Sequence, residues 1–278
     1  MRFCVVGGIN LDVTGWADTG FRTGDSNPGQ IRFSRGGVGG NVAVCLANEG
    51  HDVSLVSVLS NDVFGAFLRC ECEKSGLDLR CCVTSDAPSS AYMAVHGPDG
   101  ELVIGLNDMA SMNCLTADRL HRMRSFINGH DAVVFDANLS ESAIEVLCGD
   151  ADCPLIADAV SAAKCKRLMG ALPYLSALKL NLLEAQTLGG EQTPKDAGQA
   201  LLRRGVKNVF VSLGREGVYA CDKNEDAFLR PQKQLDRPTS GVGDAMCAGI
   251  AQGVAMGLGA VKCAALGQDA AFRLLSGR

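Results

Sequence analysis

"DAVVFDANLSESAIEVLCGDADCPLIADAV", residues 131–160, holds a β-rich run (131–137), a helical stretch near 140–148 and a second β-rich run (154–159). Two buried strands joined through a helix run parallel, because the crossover returns the chain to the end of the sheet from which it started. The alternation continues in both directions. Toward the amino end, "FCVVGGI" (3–9) and "DVSLVSVL" (52–59) read as strands, with helices near 39–49, 63–75 and 116–127. Toward the carboxyl end, "ALKL" (177–180) and "NVFVSL" (208–213) read as strands, with helices near 161–169, 194–204, 243–256 and 259–275. The pattern predicts an α/β fold, a doubly wound and mainly parallel central sheet flanked by helices.

Two places interrupt it. "LDVTGWA" (11–17) with "GQIRFS" (29–34), and "SAYMAVHGPDGELVIGL" (90–106), are hairpin-like β segments, the second turning at Pro98-Asp99-Gly100. Strands without intervening helices fit the central sheet poorly. They are expected to form a small β lid from about 11–34 and 90–106 over one domain spanning 1–278, the plainer alternative being edge strands of the same sheet.

Composition limits the partners. A chain of 278 residues with net charge −5 lacks the basic face of a phosphate-backbone binder, so a small molecule is expected and nucleic acid is not. No apolar run is long enough to span a membrane. Thirteen cysteines, an odd number, follow a start that does not read as a secretory leader, so reduced cytoplasmic thiols are expected. Cys70, Cys72, Cys81 and Cys82 lack the usual C-x2-C spacing of zinc knuckles and read as small half-buried side chains. The four histidines are scattered and form no H-E-x-x-H arrangement.

Three polar stretches interrupt the apolar pattern. "SRGGVGGNVAVCLANEG" (34–50) sets Gly36, Gly37, Gly39 and Gly40 before a helix with Asn41 on its first turn, suited to close approach of a ligand backbone or hydroxyl. It is not G-x-G-x-x-G, and no G-x4-G-K-[ST] occurs. "NLLE" (181–184) follows a strand, which would aim Asn181 and Glu184 into the crevice beyond the strand ends; a helix N-cap with an exposed glutamate is the plainer reading.

"RPTSGVGDAMCAGIAQG" (237–253) puts Asp244 on the first turn of a helix whose free N–H groups attract anions. A hydroxyl attacking a γ-phosphate needs a carboxylate to take its proton and N–H groups to hold the charge on the transferred group. Gly241, Val242, Gly243 and Asp244 supply both within one turn. The alternative is an acidic residue merely stabilising a helix N-terminus, worth about 0.3–1 kcal/mol.

With these residues in view, "TSGVGDAMCAGI" resembles the carboxyl-terminal signature of the ribokinase-like (PfkB) carbohydrate kinases, and "SRGGVGGNVAVCLANEG" their amino-terminal glycine motif. "NLLEA" and "VSLGREGVY" are similar to the family's N-x-x-E and nucleotide segments, in the same order and over nearly the whole chain. The resemblance implies ATP-dependent phosphorylation of a sugar-type hydroxyl, with Mg2+. Within the family, "GLNDM" (105–109), "DANLSE" (136–141), "DAVSAAK" (158–164) and "LKLNLLEA" (178–185) are similar to stretches of pseudouridine kinases, which implies pseudouridine as acceptor. Other acceptors in the family are ribose, adenosine and fructose, and a noncatalytic nucleoside binder is the other class.

Carried over residue by residue, the resemblance makes Asp244 the base and the backbone of Gly241, Val242 and Gly243 the anion hole. Asn10 and Asp12 would grip ribose hydroxyls, Gly37 and Asn41 would line the sugar pocket, and Asn107 and Asn138 would lie near the nucleoside. Asn181 would orient phosphate, Glu184 hydrated Mg2+, and Ser212, Gly214 and Gly217 would border the nucleotide. Lys164 would contact phosphate, or be a solvated helix lysine. The resemblance also implies a homodimer formed through the β lid. Pro238 replaces the family's Asp or Asn, so the monovalent-cation (K+) site is not carried over. Ser240 replaces the usual Thr and keeps the hydroxyl. Relatives typically continue further beyond the base than Arg278, which implies weak nucleotide affinity or an adenine site completed differently.

Overall fold

The computed structural model describes residues 1–231 and 241–277; Pro238 and Ser240 lie outside them. The strands are β1 Arg2–Val6, β2 Asn10–Ala17, β3 Gly29–Gly36, β4 Asp52–Val56, β5 Val58–Ser60, β6 Val83–Ser85, β7 Ala91–His96 and β8 Leu102–Asp108. They continue with β9 Ala132–Asp136, β10 Leu155–Asp158, β11 Ala177–Asn181, β12 Asn208–Ser212, β13 Val218–Asp222 and β14 Asp226–Leu229. The helices are α1 Val38–Asn48, α2 Val63–Lys74, α3 Ala117–Ile127, α4 Glu141–Asp150, α5 Leu182–Gly189, α6 Pro194–Arg203, α7 Val242–Ala255 and α8 Ala260–Ser276.

The central sheet has eight strands in the order β14-β13-β12-β11-β10-β9-β1-β4. It is parallel from β4 through β12 and antiparallel at β13 and β14. Alternation along each strand splits its side chains between two cores. Cys4, Val6, Val133 and Phe135 pack with Leu120 of α3, Ile144 of α4, Leu188 of α5 and Leu201 of α6. Phe3, Val5, Val134 and Ile156 pack with Leu46 of α1, Leu68 of α2, Ile250 of α7 and Cys263 of α8. The predicted doubly wound α/β fold is present.

Three details differ from the sequence reading. The strand expected at 52–59 breaks at Ser57, whose hydroxyl donates to the Gly7 carbonyl at 2.6 Å, and β5 then leaves the central sheet to pair with β6. The helix expected at 161–169 is a 3-10 turn at Cys165–Leu168. Val160 stands at φ 64° before it, and Gly170 and Pro173 follow it, so breakers flank the stretch on both sides. A further helix, α5, starts directly at the end of β11 with Asn181 as its N-cap, the cap that the plainer reading of "NLLE" expects; its eight residues are too few for a period to stand out in the sequence.

The two hairpin-like segments join into a separate four-stranded sheet, β3-β2-β7-β8, because β2 pairs in parallel with β7. Its turn is closed by the Gly100 N–H donating to the Gly97 carbonyl. Register gives the lid two unlike faces. Ser34, Asp12, Tyr92 and Asn107 stand in one row across the sheet, and Phe33, Val13, Met93 and Leu106 in the next. On the apolar face Ile31 is 68%, Phe33 58% and Leu106 59% exposed, so the described residues leave it largely uncovered.

Candidate active site

Four successive parallel strands end on polar residues: β9 on Asp136, β10 on Asp158, β11 on Asn181 and β12 on Ser212. Asp136 stands opposite Asp158, and Asn181 opposite Ser212. A parallel sheet opens its ligand crevice at this edge.

Asp136 is buried and accepts N–H bonds from Gly8 (2.8 Å), Gly39 (2.8 Å) and Asn138 (2.9 Å). One carboxylate therefore ties the turn after β1 to the first turn of α1. Burial raises its pKa despite these donors. Gly37 precedes α1 at φ 90°, and a Cβ there would meet the Gly8 carbonyl oxygen at 2.5 Å, so only glycine lets the two loops touch.

Asp244 lies on the first turn of α7, which Gly241 enters in the left-handed conformation with no side-chain cap. Its Oδ2 accepts from Asn41 Nδ2 at 2.8 Å. Burial pushes its pKa up to about 7, helped by the Asp158 and Asp136 carboxylates and opposed by the Lys179 ammonium and the Asn41 bond. Lys179 is buried and paired with Asp158 at 3.0 Å. Burial opposes its charge, yet the Asp158 and Asp244 carboxylates hold its pKa above the ordinary value. A Cβ at Gly243 would lie 2.9 Å from Lys179 Nζ, so the first turn of α7 rests on this ammonium. A carboxylate poised near neutrality at a helix N-terminus suits proton removal from a hydroxyl.

On the lid side, Asn10 Nδ2 donates to Asp12 Oδ1 at 2.6 Å. Burial raises the Asp12 pKa, while Asn10 and Arg35 pull it down. Arg35 Nη1 donates to Asn41 Oδ1 at 3.0 Å, so Asn41 bridges the lid and Asp244. Asn107 is exposed on β8, in the Asp12 row and two strands away, about 10 Å by strand spacing. Asn138 and Met109, the other end of the "GLNDM" segment, both border Gly8, where a Cβ would lie 2.7 Å from Asn138 Nδ2 and 2.8 Å from Met109 Cε. Lys164 donates to Asn138 Oδ1 at 2.7 Å, which places it with the group at the end of β9.

At the other end, Asn181 and Glu184 form a reciprocal capping box. Glu184 Oε2 accepts from the Asn181 N–H at 2.8 Å and Oε1 from Asn181 Nδ2 at 2.7 Å. The sequence alternative had this glutamate exposed; it is 2% exposed, and burial raises its pKa. Each oxygen accepts one bond and keeps a second lone pair, so Glu184 can still accept from a cation's water. Among the described residues no three His, Cys, Asp or Glu side chains form a group that could hold a metal ion. Ser212 donates its hydroxyl to the Leu180 carbonyl at 3.1 Å. Gly214 and Gly217, at φ 59° and 112°, make the turn into β13. All thirteen cysteines are free, and no helix among the described residues is long and apolar enough to cross a membrane.

Four site residues were not singled out from sequence: Asp136, Asp158, Lys179 and Arg35. The first two share a legible signal, an aspartate closing an apolar strand, and Lys179 is a lone charge inside "ALKLN". Arg35 carries none, since a basic residue before glycines reads as surface.

Comparison with known proteins bears on this geometry. The sequence pattern of the group described as pfkB family carbohydrate kinase matches residues 2–274. Over 256 residues the chain is 34% identical to the pseudouridine kinase of Escherichia coli (strain K12), covering 89% of this chain and 82% of that protein. A solved structure of a carbohydrate kinase from Agrobacterium tumefaciens matches with a TM-score of 0.84 at 31% identity, covering 97% of this chain and 89% of the other. A ribokinase from Thermotoga maritima shares the fold, with a TM-score of 0.87 at 22% identity and coverage of 97% and 91%.

Proposed function

We propose, starting from the premise that the chain belongs to the pfkB family of carbohydrate kinases, that it transfers the γ-phosphoryl group of ATP to the 5′-hydroxyl of pseudouridine. The chain is a sugar or nucleoside kinase, a phosphotransferase with an alcohol acceptor. The finer reading is supported by the 34% identity to a pseudouridine kinase over 89% of the chain. The observation that carries the chemistry is Asp244, raised to about 7 on the first turn of α7.

In this reading Asp244 takes the 5′-hydroxyl proton as that oxygen attacks the γ-phosphorus and the bond to ADP breaks. The N–H groups of Gly241, Val242 and Gly243 hold the charge that develops on the transferred oxygens. Asp12, oriented by Asn10, accepts vicinal ribose hydroxyls, with Gly37 and Asn41 beside it. Asn107 on the lid and Asn138 at the sheet edge meet the base. Lys164 directs its charge to the same end of the cleft through Asn138. Ser212, Gly214 and Gly217 border ATP, and Asn181 orients its phosphates. Glu184 would hold Mg2+ through water; the ion, when bound, neutralises phosphate charge. The uncovered apolar lid face around Ile31, Phe33 and Leu106 supports a homodimer formed through the lid. Thirteen free thiols support a cytoplasmic setting.

ADP release measured with pseudouridine, uridine, adenosine, ribose and fructose tests the reading; release with fructose alone would refute the nucleoside assignment. Asp12→Ala is expected to weaken nucleoside binding far more than ATP binding in calorimetry. Equal losses for both ligands would remove Asp12 from the sugar site.

A further inference from the structure

Asn41 stands between two groups of opposite hydrogen-bonding character. Its Oδ1 accepts from Arg35 Nη1 at 3.0 Å, and its Nδ2 donates to Asp244 Oδ2 at 2.8 Å. A primary amide turned by 180° keeps its shape and exchanges its ends. Turned that way, Asn41 would set a carbonyl against the Asp244 carboxylate and an NH2 against a guanidinium. A guanidinium only donates and an ionised carboxylate only accepts, so with both neighbours present one orientation satisfies every atom. Remove the guanidinium and the amide is free to turn. A carbonyl facing Asp244 then favours the protonated acid, which alone can donate to it.

Arg35 has been given room for this contact. A Cβ at Gly40 would lie 3.2 Å from its Nη1, so a larger residue there would crowd the guanidinium. Arg35 belongs to lid strand β3, opposite Leu11, while Asn41 is on α1 and Asp244 on α7. Among the described residues Arg35 forms no ion pair of its own.

We propose that Arg35 is a positioning residue for the phosphoryl-transfer base: by occupying Asn41 Oδ1 it turns the amide N–H toward Asp244, and so couples the seating of the lid to the state of the base. This rests on the assignment of Asp244 as base. The other charged or titratable groups acting on Asp244 are Asp136 on β9, Asp158 on β10, Lys179 on β11, Cys45 on α1 and Cys247 on α7. All of them belong to the central sheet and its helices. Arg35 comes from the lid, so lid strand and base are joined through one amide.

The test is the pH profile of kcat for Arg35→Met, Arg35→Lys and the parent, with KM for both substrates. For Arg35→Met the acidic limb is expected to move up by about one unit, a roughly tenfold loss on that limb that closes at alkaline pH. Arg35→Lys, which still only donates, is expected to recover most of the shift. Arg35→Gln, which can donate but can also turn, is expected to fall between and serves if the Met variant does not fold. A kcat lowered equally at every pH, an unmoved limb, or a change confined to nucleoside KM overturns the proposal. Asp244→Asn run alongside separates the cases: if it abolishes turnover while Arg35→Met leaves the limb in place, the positioning role fails and the base assignment stands. If Asp244→Asn turns over normally, the base assignment itself has failed.

Discussion

Asp244→Asn is expected to keep the fold and lose at least ~10²-fold in kcat, the low end of what a general base contributes. The exchange is nearly isosteric and sits on the first turn of α7, where Gly241 enters without a side-chain cap, so the helix does not depend on the carboxylate for its start. The amide can still pair with Asn41, now offering its carbonyl to Nδ2. Only proton acceptance is lost. In the parent enzyme kcat should rise with pH through about 7, because burial and the Asp158 carboxylate hold Asp244 protonated below that and a base works only when ionised. The residual activity of the variant should lack this limb. Near-normal turnover in a folded variant would remove Asp244 from the mechanism.

Lys179→Met is expected to destabilise the protein by ~3–5 kcal/mol in urea unfolding, the range for breaking one half of a buried ion pair. The side chains of Lys179 and Asp158 are 10% and 3% exposed, and their atoms meet at 3.0 Å. Methionine fills most of the volume, so the loss is electrostatic: Asp158 remains buried without its partner, beside the carboxylates of Asp136 and Asp244. Pairing Lys179→Met with Asp158→Leu should restore part of the stability, since removing both charges leaves neither stranded. A single-variant loss under ~1 kcal/mol would mean that the pair is solvated and does not support the first turn of α7 at Gly243.

The sheet could be read from sequence because parallel strands buried on both faces are written as apolar runs, and "DAVVFDA" and "PLIADA" are such runs around one helix. The lid was legible as segments, but not as a sheet. Pairing of β2 with β7 joins residues about eighty apart, and no local pattern encodes such a partner. Asp244 and Asn41 could be placed by their glycines, since glycine marks the close approach of loops. Their mutual contact could not, because it spans 203 positions. Lys164 and Asn138 were assigned to different ligands, yet they touch at 2.7 Å, since the 3-10 turn at Cys165 swings the lysine back over the end of β9. Glu184 was the subtler case: a capping glutamate ordinarily faces water, and here the neighbouring strand ends bury it.

The identity of the acceptor is tested most directly by kcat/KM for pseudouridine against uridine under one set of conditions. The two share their ribose, so in the proposed site Asp12 and Asn41 would treat them alike, and selection would come from the extra ring N–H that the C-linked isomer offers. Asn138 Oδ1 already accepts from Lys164, which leaves one lone pair there and the carbonyl of Asn107 on the lid as acceptors for that N–H. An acceptor left unpaired by uridine costs on the order of 1–3 kcal/mol, which corresponds to roughly a ten- to hundredfold preference for pseudouridine. A ratio in that range is the expected result; equal values for the two isomers would contradict the pseudouridine assignment and leave a pfkB kinase that reads only the sugar.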